Sequence, residues 1–289
     1  MAVHFEIDEN ATGAATSEAD ALCAPAGSGS PTDPVALRGG QGRLLRIDIP
    51  AVLVVGTAGG SGATTTALGL AAAMASDSDG ELWPVAVDAT LGGGDLALRG
   101  CDSAAPVSTL QSWLEAECPS LPSTVNRFLG HASCGASVLA RTPDPLPRRE
   151  SFVSVHRHLT DAGALAVYDG GAPASNRGTA PLLTDPRIGL VITVAARADT
   201  INRLKPALIW LDQHFGEFVI GDAVLVVTHQ HPGADPGIAA HVRAFLGEWI
   251  RAVVSVPYDL HLAEGGLVGW HRLASPTRAA YLHLLGELR

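Results

Sequence analysis

The feature that most constrains the fold is a glycine-rich segment, GTAGGSGATTT, at residues 56–66. It follows the continuous apolar run AVLVV and precedes ALGLAAAMA, which is rich in helix-forming residues. A buried strand, a glycine turn and a helix in this order are typical of a parallel α/β sheet. Gly59, Gly60 and Gly62 allow backbone N–H groups to curl around an anion at the positive end of the helix. The segment therefore predicts a phosphate-binding loop.

The rest of the chain alternates between buried strands and amphipathic helices. Continuous apolar runs occur at WPVAVD, ALAVYD, IGLVITVA, AVLVVTH and AVVSVP, with helical patterns between them. Strands that are apolar throughout must be covered on both faces of the sheet. We therefore predict one three-layer α/β/α domain of the P-loop NTPase type, with a mainly parallel sheet, over residues 43–289.

Residues 1–42 have a different composition. They are rich in Ala, Gly, Ser, Pro and acidic residues and poor in aromatic ones. Such a segment buries too little apolar surface to offset the entropy of ordering, which predicts a disordered tail. A peptide that binds a partner is the alternative.

Charge and composition exclude several classes of function. The formal net charge of −10 gives no basic field for a nucleic-acid backbone. The start, MAVHFEIDENATG, lacks the features of a signal peptide, and no apolar run approaches the ~20 residues of a membrane helix. The four cysteines form no CxxC pair and are typical of reduced thiols. These patterns predict a cytoplasmic protein without a direct membrane anchor, so that any recruitment to a membrane would depend on a partner.

The last helical pattern, SPTRAAYLHLLGELR, carries four leucines, at 282, 284, 285 and 288. A membrane-binding amphipathic helix would carry a strongly basic polar face. This segment is only weakly basic, so we predict that it covers the core.

The predicted loop lacks its lysine. A P-loop reads G-x-x-x-x-G-K-[ST], and here Ala63 takes the lysine position while Thr64 takes the position of the Mg²⁺-binding hydroxyl. The chain has a single lysine, Lys205, so no neighbouring lysine can replace the missing one.

The doubled glycine and the threonine run resemble the ParA/MinD family, whose loop reads K-G-G-x-G-K-T-T. The resemblance extends from about residue 45 to the end of the chain. It implies ATP or ADP with Mg²⁺ as ligand, bound by the loop residues Gly59, Gly60, Ser61, Gly62, Ala63, Thr64 and Thr65. The family also uses a signature lysine that reaches across a homodimer, and Ala58 stands at that position.

Further segments resemble the family in the same order. PVAVDATLGGGDLALRG is similar to the segment after its second strand, with Asp88 as the first aspartate, which the resemblance implies is a nucleotide-binding residue, and Thr90 in place of a water-orienting one. LAVYDGGAP is similar to the Walker B strand, which implies that Asp169 and Thr64 are the Mg²⁺-side residues. VVSVPYDLHLAEGG resembles the base and sugar side, and Thr228 and His229 replace a base-reading asparagine.

The sequence GGSGATTTAL looks most like the TadZ/CpaE branch, in which the usual lysine is already absent. That resemblance implies a protein partner in an envelope-associated assembly, such as pilus, secretion or cell-division machinery. The branch often keeps an arginine where this chain has Ala58.

The missing cations favour a pseudo-ATPase. Phosphoryl transfer depends on electrostatic stabilisation, and one missing donor typically lowers the rate by ~10²–10³. Two alternatives are an active ATPase with a non-lysine cation source, such as an arginine from a partner, or an interaction module without nucleotide. Arg177 is the nearest candidate for the cation by family position. His229 and His231 are interpreted as a loop pair rather than metal ligands, because no further ligand converges on them.

Overall fold

The computed structural model describes residues 49–117, 119–146, 151–235 and 237–289, together with two short strands before them. Those two strands, β1 (Ala36–Arg38) and β2 (Leu44–Arg46), form an antiparallel pair. β1 lies inside the segment 1–42 that was predicted to be a disordered tail. The other residues of that segment lie outside the described residues, so for them the expectation stays a prediction.

The centre of the domain is an eight-stranded sheet. Its strands are β3 (Ala51–Gly56), β4 (Pro84–Asp88), β5 (Gly130–His131), β6 (Ser137–Leu139), β7 (Leu165–Asp169), β8 (Ile188–Ala195), β9 (Val224–Thr228) and β10 (Ala252–Val256). The order across the sheet is β10-β9-β8-β3-β7-β4-β6-β5. Only the edge pair of β5 and β6 is antiparallel among the pairs within this sheet. The predicted α/β fold with a mainly parallel sheet is therefore confirmed.

Helices cover both faces of this sheet. Within the described residues they are α1 (Ala63–Asp77), α2 (Leu96–Gly100), α3 (Leu110–Glu115), α4 (Pro122–Val125), α5 (Ser151–Asp161), α6 (Ala198–Ile201), α7 (Leu204–Phe215), α8 (Glu217–Gly221), α9 (Ile238–Leu246), α10 (Leu260–Ala263) and α11 (Ser275–Glu287).

The apolar strands divide their side chains between two cores. Residues of β3 alternate, so that Val52 and Val54 face the core under α1, α2 and α11. Leu53 and Val55 face the core formed with α3, α5, α7 and α9. All four side chains are almost completely buried. This two-sided burial explains why the strand is apolar throughout.

The closing helix α11 packs against α1 and β10, as the sequence analysis predicted. Leu284, Leu285 and Leu288 are buried, whereas Leu282 is partly exposed. The ring of Tyr281 lies directly against Gly69 of α1, where a Cβ atom would clash with it. The helix therefore completes one of the two cores. No helix among the described residues is long and apolar enough to cross a membrane.

Candidate functional site

The glycine-rich loop lies at the carboxyl end of β3, a central strand of the sheet, and leads into α1. Gly60 and Gly62 adopt positive φ angles of 75° and 90°. At Gly62 a Cβ atom would lie 2.9 Å from the Thr228 methyl carbon. Glycine is therefore required there by backbone conformation and by space, and the sharp turn starts α1 at Ala63.

Three side chains hold the loop from neighbouring strand ends. The Thr228 hydroxyl donates to the Ser61 carbonyl oxygen at 3.1 Å, and the Gln230 side-chain amide donates to the Gly60 carbonyl oxygen. The Ser61 and Thr193 hydroxyls lie 3.0 Å apart. These contacts fix the loop through carbonyl and hydroxyl oxygens and do not use the N–H groups of Gly59, Gly60 and Gly62.

Several N–H groups at this turn have no hydrogen-bond partner among the residues that the structure describes. Within the described residues, no hydrogen bond is found from the N–H groups of Gly59, Gly60 or Gly62. The first helical bond of α1 is donated by Thr66 to Gly62 at 2.8 Å, so the N–H groups of residues 63–65 also lack helical partners. Such a concentration of free donors at a helix start is the arrangement that binds phosphate.

The Gly62→Ala substitution is expected to destabilise the fold by roughly 1–3 kcal/mol, because alanine at a positive φ is strained and its methyl group meets Thr228. Gly59→Ala is the matched control, since a Cβ atom there would meet nothing within 4 Å. Urea unfolding of both variants and the wild type measures the effect. Equal stabilities of the two variants would show that the loop adopts another conformation.

The loop borders an open cleft of about 470 Å³. Its lining residues include every predicted loop residue and several others: Ala58, Gly59, Gly60, Ser61, Gly62, Ala63, Thr64, Thr65, Arg99, Gly171, Ala172 and Gln230. A second cleft of about 390 Å³ shares Gly62, Thr65 and Gln230 with the first. The segment predicted to line the base and sugar side contributes residues 256–259, 262 and 263 to this second cleft.

Asp88 ends β4 and is fully engaged by its own loop. Its carboxylate accepts bonds from the Thr90 N–H at 3.1 Å, the Thr90 hydroxyl at 2.6 Å and the Gly94 N–H at 2.8 Å. Asp88 is also buried, at 1% exposure. Asp88, which the sequence placed at the nucleotide site, does not line either cleft; together with the Thr90 hydroxyl it holds the loop after β4.

Asp169 ends the adjacent strand β7, in register with Asp88, and has a different environment. It is completely buried, and only one carboxylate oxygen is bonded, to the Gly171 N–H at 3.0 Å. The other oxygen has no hydrogen-bond partner among the described residues. Burial raises the pKa of Asp169 to about 6, although the nearby Thr64 hydroxyl and the Gly171 N–H act in the opposite direction. An under-bonded carboxylate in this position is a suitable metal ligand.

These groups fit a magnesium–nucleotide complex. Free N–H groups suit phosphate oxygens, and the unpaired oxygen of Asp169 beside the Thr64 hydroxyl suits Mg²⁺, which prefers oxygen ligands. The two positions that carry a lysine in the ParA/MinD family do not fit such a complex, because Ala58 and Ala63 line the cleft and carry no charge.

One charged residue of the cleft lining was not predicted from the sequence. Arg99 of α2 reaches the loop, and its Nη2 atom donates to the Thr65 hydroxyl at 2.9 Å. From the sequence, Arg177 was the nearest candidate for a replacement cation, and that expectation stays a prediction. Arg177 is exposed and is not among the residues that line the cleft. The sequence did offer one reason to consider Arg99, because it is the only basic residue at positions 84–100.

The two loop histidines belong to the second cleft. His229 lies 3.0 Å from the Ser255 hydroxyl, and burial lowers its pKa. In the part of the chain that the structure describes, no group of three or more His, Cys, Asp or Glu residues is arranged to hold a metal ion.

No protein-family model matches the chain, and no curated protein sequence matches it. Solved structures do match its fold. A ParA family ATPase from Chlorobium tepidum TLS aligns with a TM-score of 0.65 and 16% identity, over 82% of this chain and 98% of that one. MinD in the MinC:MinD cell division protein complex from Aquifex aeolicus aligns with a TM-score of 0.55 and 15% identity, over 82% and 96%.

A cobyrinic acid a,c-diamide synthase from Mycobacterium smegmatis, with bound ATP analog and magnesium, is similar at a TM-score of 0.53 and 15% identity, over 82% of this chain and 93% of that one. Identities at this level establish the fold alone. The chain therefore has the P-loop fold seen in ParA and MinD ATPases.

Proposed function

We propose that the protein is a ParA/MinD-like pseudo-ATPase that binds ATP or ADP with Mg²⁺ weakly and acts as a positioning or regulatory protein. One observation carries the proposal: the loop keeps the backbone of a phosphate site and an under-bonded buried carboxylate, yet both lysine positions are alanine. A buried, unpaired carboxylate is unfavourable in the empty protein. Its presence beside the loop is explained by a ligand that neutralises it.

Different residues of the chain would bind different parts of the magnesium–nucleotide complex. The free N–H groups of Gly59, Gly60, Gly62 and the start of α1 would hold phosphate oxygens. Thr64 and Asp169 would hold Mg²⁺, which when bound neutralises phosphate charge. The second cleft, beside Thr228 and His229, has room for the nucleoside.

Negligible hydrolysis follows from what the site lacks. Ala58 and Ala63 provide no cation, and the Thr90 hydroxyl already donates to Asp88. Catalysis requires interactions that strengthen in the transition state. Backbone donors and Mg²⁺ can bind a nucleotide, but without the lysines the stabilisation of the transferring phosphoryl group is reduced.

The proposed partner is a protein of an envelope-associated assembly, with a cytoplasmic location for this chain. Support comes from the resemblance to the TadZ/CpaE branch and from the fold shared with MinD of the MinC:MinD cell division protein complex. Homodimerisation is part of the same proposal, because the family pairs its subunits at the nucleotide site.

A phosphate-release assay tests the proposal. Purified protein with Mg-ATP is expected to release phosphate no faster than a denatured sample. Steady turnover of ~0.01 per second or more, far above spontaneous hydrolysis, would contradict it. The Asp169→Asn variant is the matched control, since release that persists in this variant indicates a contaminating enzyme rather than this site.

A further inference from the structure

Arg99 is held in a defined position beside the loop. Its Nη2 atom donates to the Thr65 hydroxyl at 2.9 Å, and its Nε atom donates to the Gly266 carbonyl oxygen at 3.4 Å. The backbone carbonyl of Arg99 also accepts from the Val268 N–H at 2.7 Å. The side chain is 16% exposed. These contacts direct the guanidinium group towards the N-terminal turn of α1.

The charge of Arg99 is only weakly compensated. Its one ion pair among the described residues is with Asp95, at 3.9 Å, and Asp95 is 57% exposed. Exposed ion pairs at this distance contribute little. No hydrogen bond from the Nη1 atom is found in the described part of the chain, so this end of the guanidinium remains free to donate.

Arg99 is also the sole charged residue among the described residues that line the loop cleft. Arg197, in the adjoining cleft, already makes two hydrogen bonds to Asp199, at 3.1 and 2.6 Å. A polyphosphate in the loop cleft would therefore meet one available cation, and it would be arginine, whose planar fork matches phosphate oxygens.

We propose that Arg99 supplies the positive charge that the loop lacks, by binding the phosphate groups of a nucleotide at the N-terminal turn of α1. This inference rests on the proposed function, because it names the residue that holds a nucleotide in the same cleft. Arg99 enters from α2, whereas a loop lysine would extend from position 63. Arg99 therefore helps to hold the nucleotide, but its guanidinium group does not take the place of the missing lysine side chain.

Equilibrium dialysis with Mg-ADP tests Arg99 directly. Arg99→Gln removes the charge while keeping a donor for Thr65, and should weaken ADP binding ~10–100-fold, the range expected for a charge-assisted hydrogen bond. Arg187→Gln is the matched control: Arg187 is 70% exposed and lies directly before β8, at the amino end of the parallel strands, whereas the loop lies at the carboxyl end of β3. It should bind ADP as the wild type does.

Two further measurements separate phosphate binding from a structural role. The salt dependence of ADP affinity should be smaller in Arg99→Gln, because one charge contact is absent. Ala63→Lys should increase affinity more in the Arg99→Gln background than in the wild type, since the two cations then substitute for each other. Arg99→Lys, which keeps the charge, should give intermediate affinity and remains informative if Arg99→Gln does not fold.

The outcomes distinguish the two proposals. If the wild type binds ADP and Arg99→Gln binds equally well with the same salt dependence, the role of Arg99 is wrong and the proposed function stands. If the wild type binds no ADP, both are wrong. Weaker binding by Arg99→Gln alone, with Arg187→Gln unchanged, supports the inference.

Discussion

The Ala63→Lys variant is expected to bind Mg-ATP ~10–100-fold more tightly than the wild type. Position 63 is the first residue of α1 and lines the 470 Å³ cleft, so a lysine stem has room to reach a bound phosphate. A lysine there would add a second cation to the one that Arg99 already provides. Charge-assisted hydrogen bonds to phosphate account for an effect of this size. Calorimetric titration of both proteins measures it.

Ala63→Met is the matched control, because methionine adds a flexible stem without a charge. It should leave nucleotide affinity equal to or below that of the wild type. Equal affinities of Ala63→Lys and Ala63→Met would contradict the account, since they would mean that the phosphates do not lie at the start of α1.

Replacing Asp169 with asparagine is expected to stabilise the nucleotide-free protein at neutral pH by roughly 1–3 kcal/mol. Burial raises the pKa of Asp169 from 3.8 to about 6, and two units correspond to about 3 kcal/mol of penalty on the charged form. The asparagine amide must itself be accommodated, which reduces the gain. Asp88→Asn is the control, because Asp88 accepts three hydrogen bonds and should lose stability instead.

The stabilisation by Asp169→Asn should depend on pH in a defined direction. The pKa of this carboxyl is higher in the folded protein, so between about pH 6 and pH 4 the folded state binds a proton that the unfolded state does not. The wild type therefore gains stability relative to the variant as the pH falls through 6. Urea unfolding at about pH 7.5 and about pH 4.5 should show the difference shrinking. A difference that is constant with pH would contradict the assigned pKa.

The fold was predictable because its signals are local. Apolar runs such as those of β3 and β8 and the glycine turn at 59–62 each specify one strand–loop–helix unit, and a parallel sheet is the architecture that buries them all. The short helix α2 was missed. Its five residues lie within a segment that reads as a glycine-containing loop, and it is stabilised by contacts with β4 and β6 rather than by its own propensity.

The candidate site was only partly predictable. The loop residues could be placed from the motif, but the bond from Arg99 to Thr65 joins residues 34 positions apart and depends on how α2 packs. The sequence also could not show that Asp88 is engaged by Thr90 and Gly94 while Asp169 keeps an unpaired oxygen. Both aspartates end parallel strands, and their loops give them different partners.

The central claim is that this loop binds a nucleotide and retains it intact. Equilibrium dialysis of the wild-type protein against Mg-ATP, followed by chromatography of the bound nucleotide, tests both parts at once. The account predicts saturable binding with a Kd of roughly 10⁻⁵–10⁻³ M, close to one nucleotide per chain, recovered as ATP. No binding at about 5 mM ATP, or recovery of the bound nucleotide mainly as ADP, would contradict it.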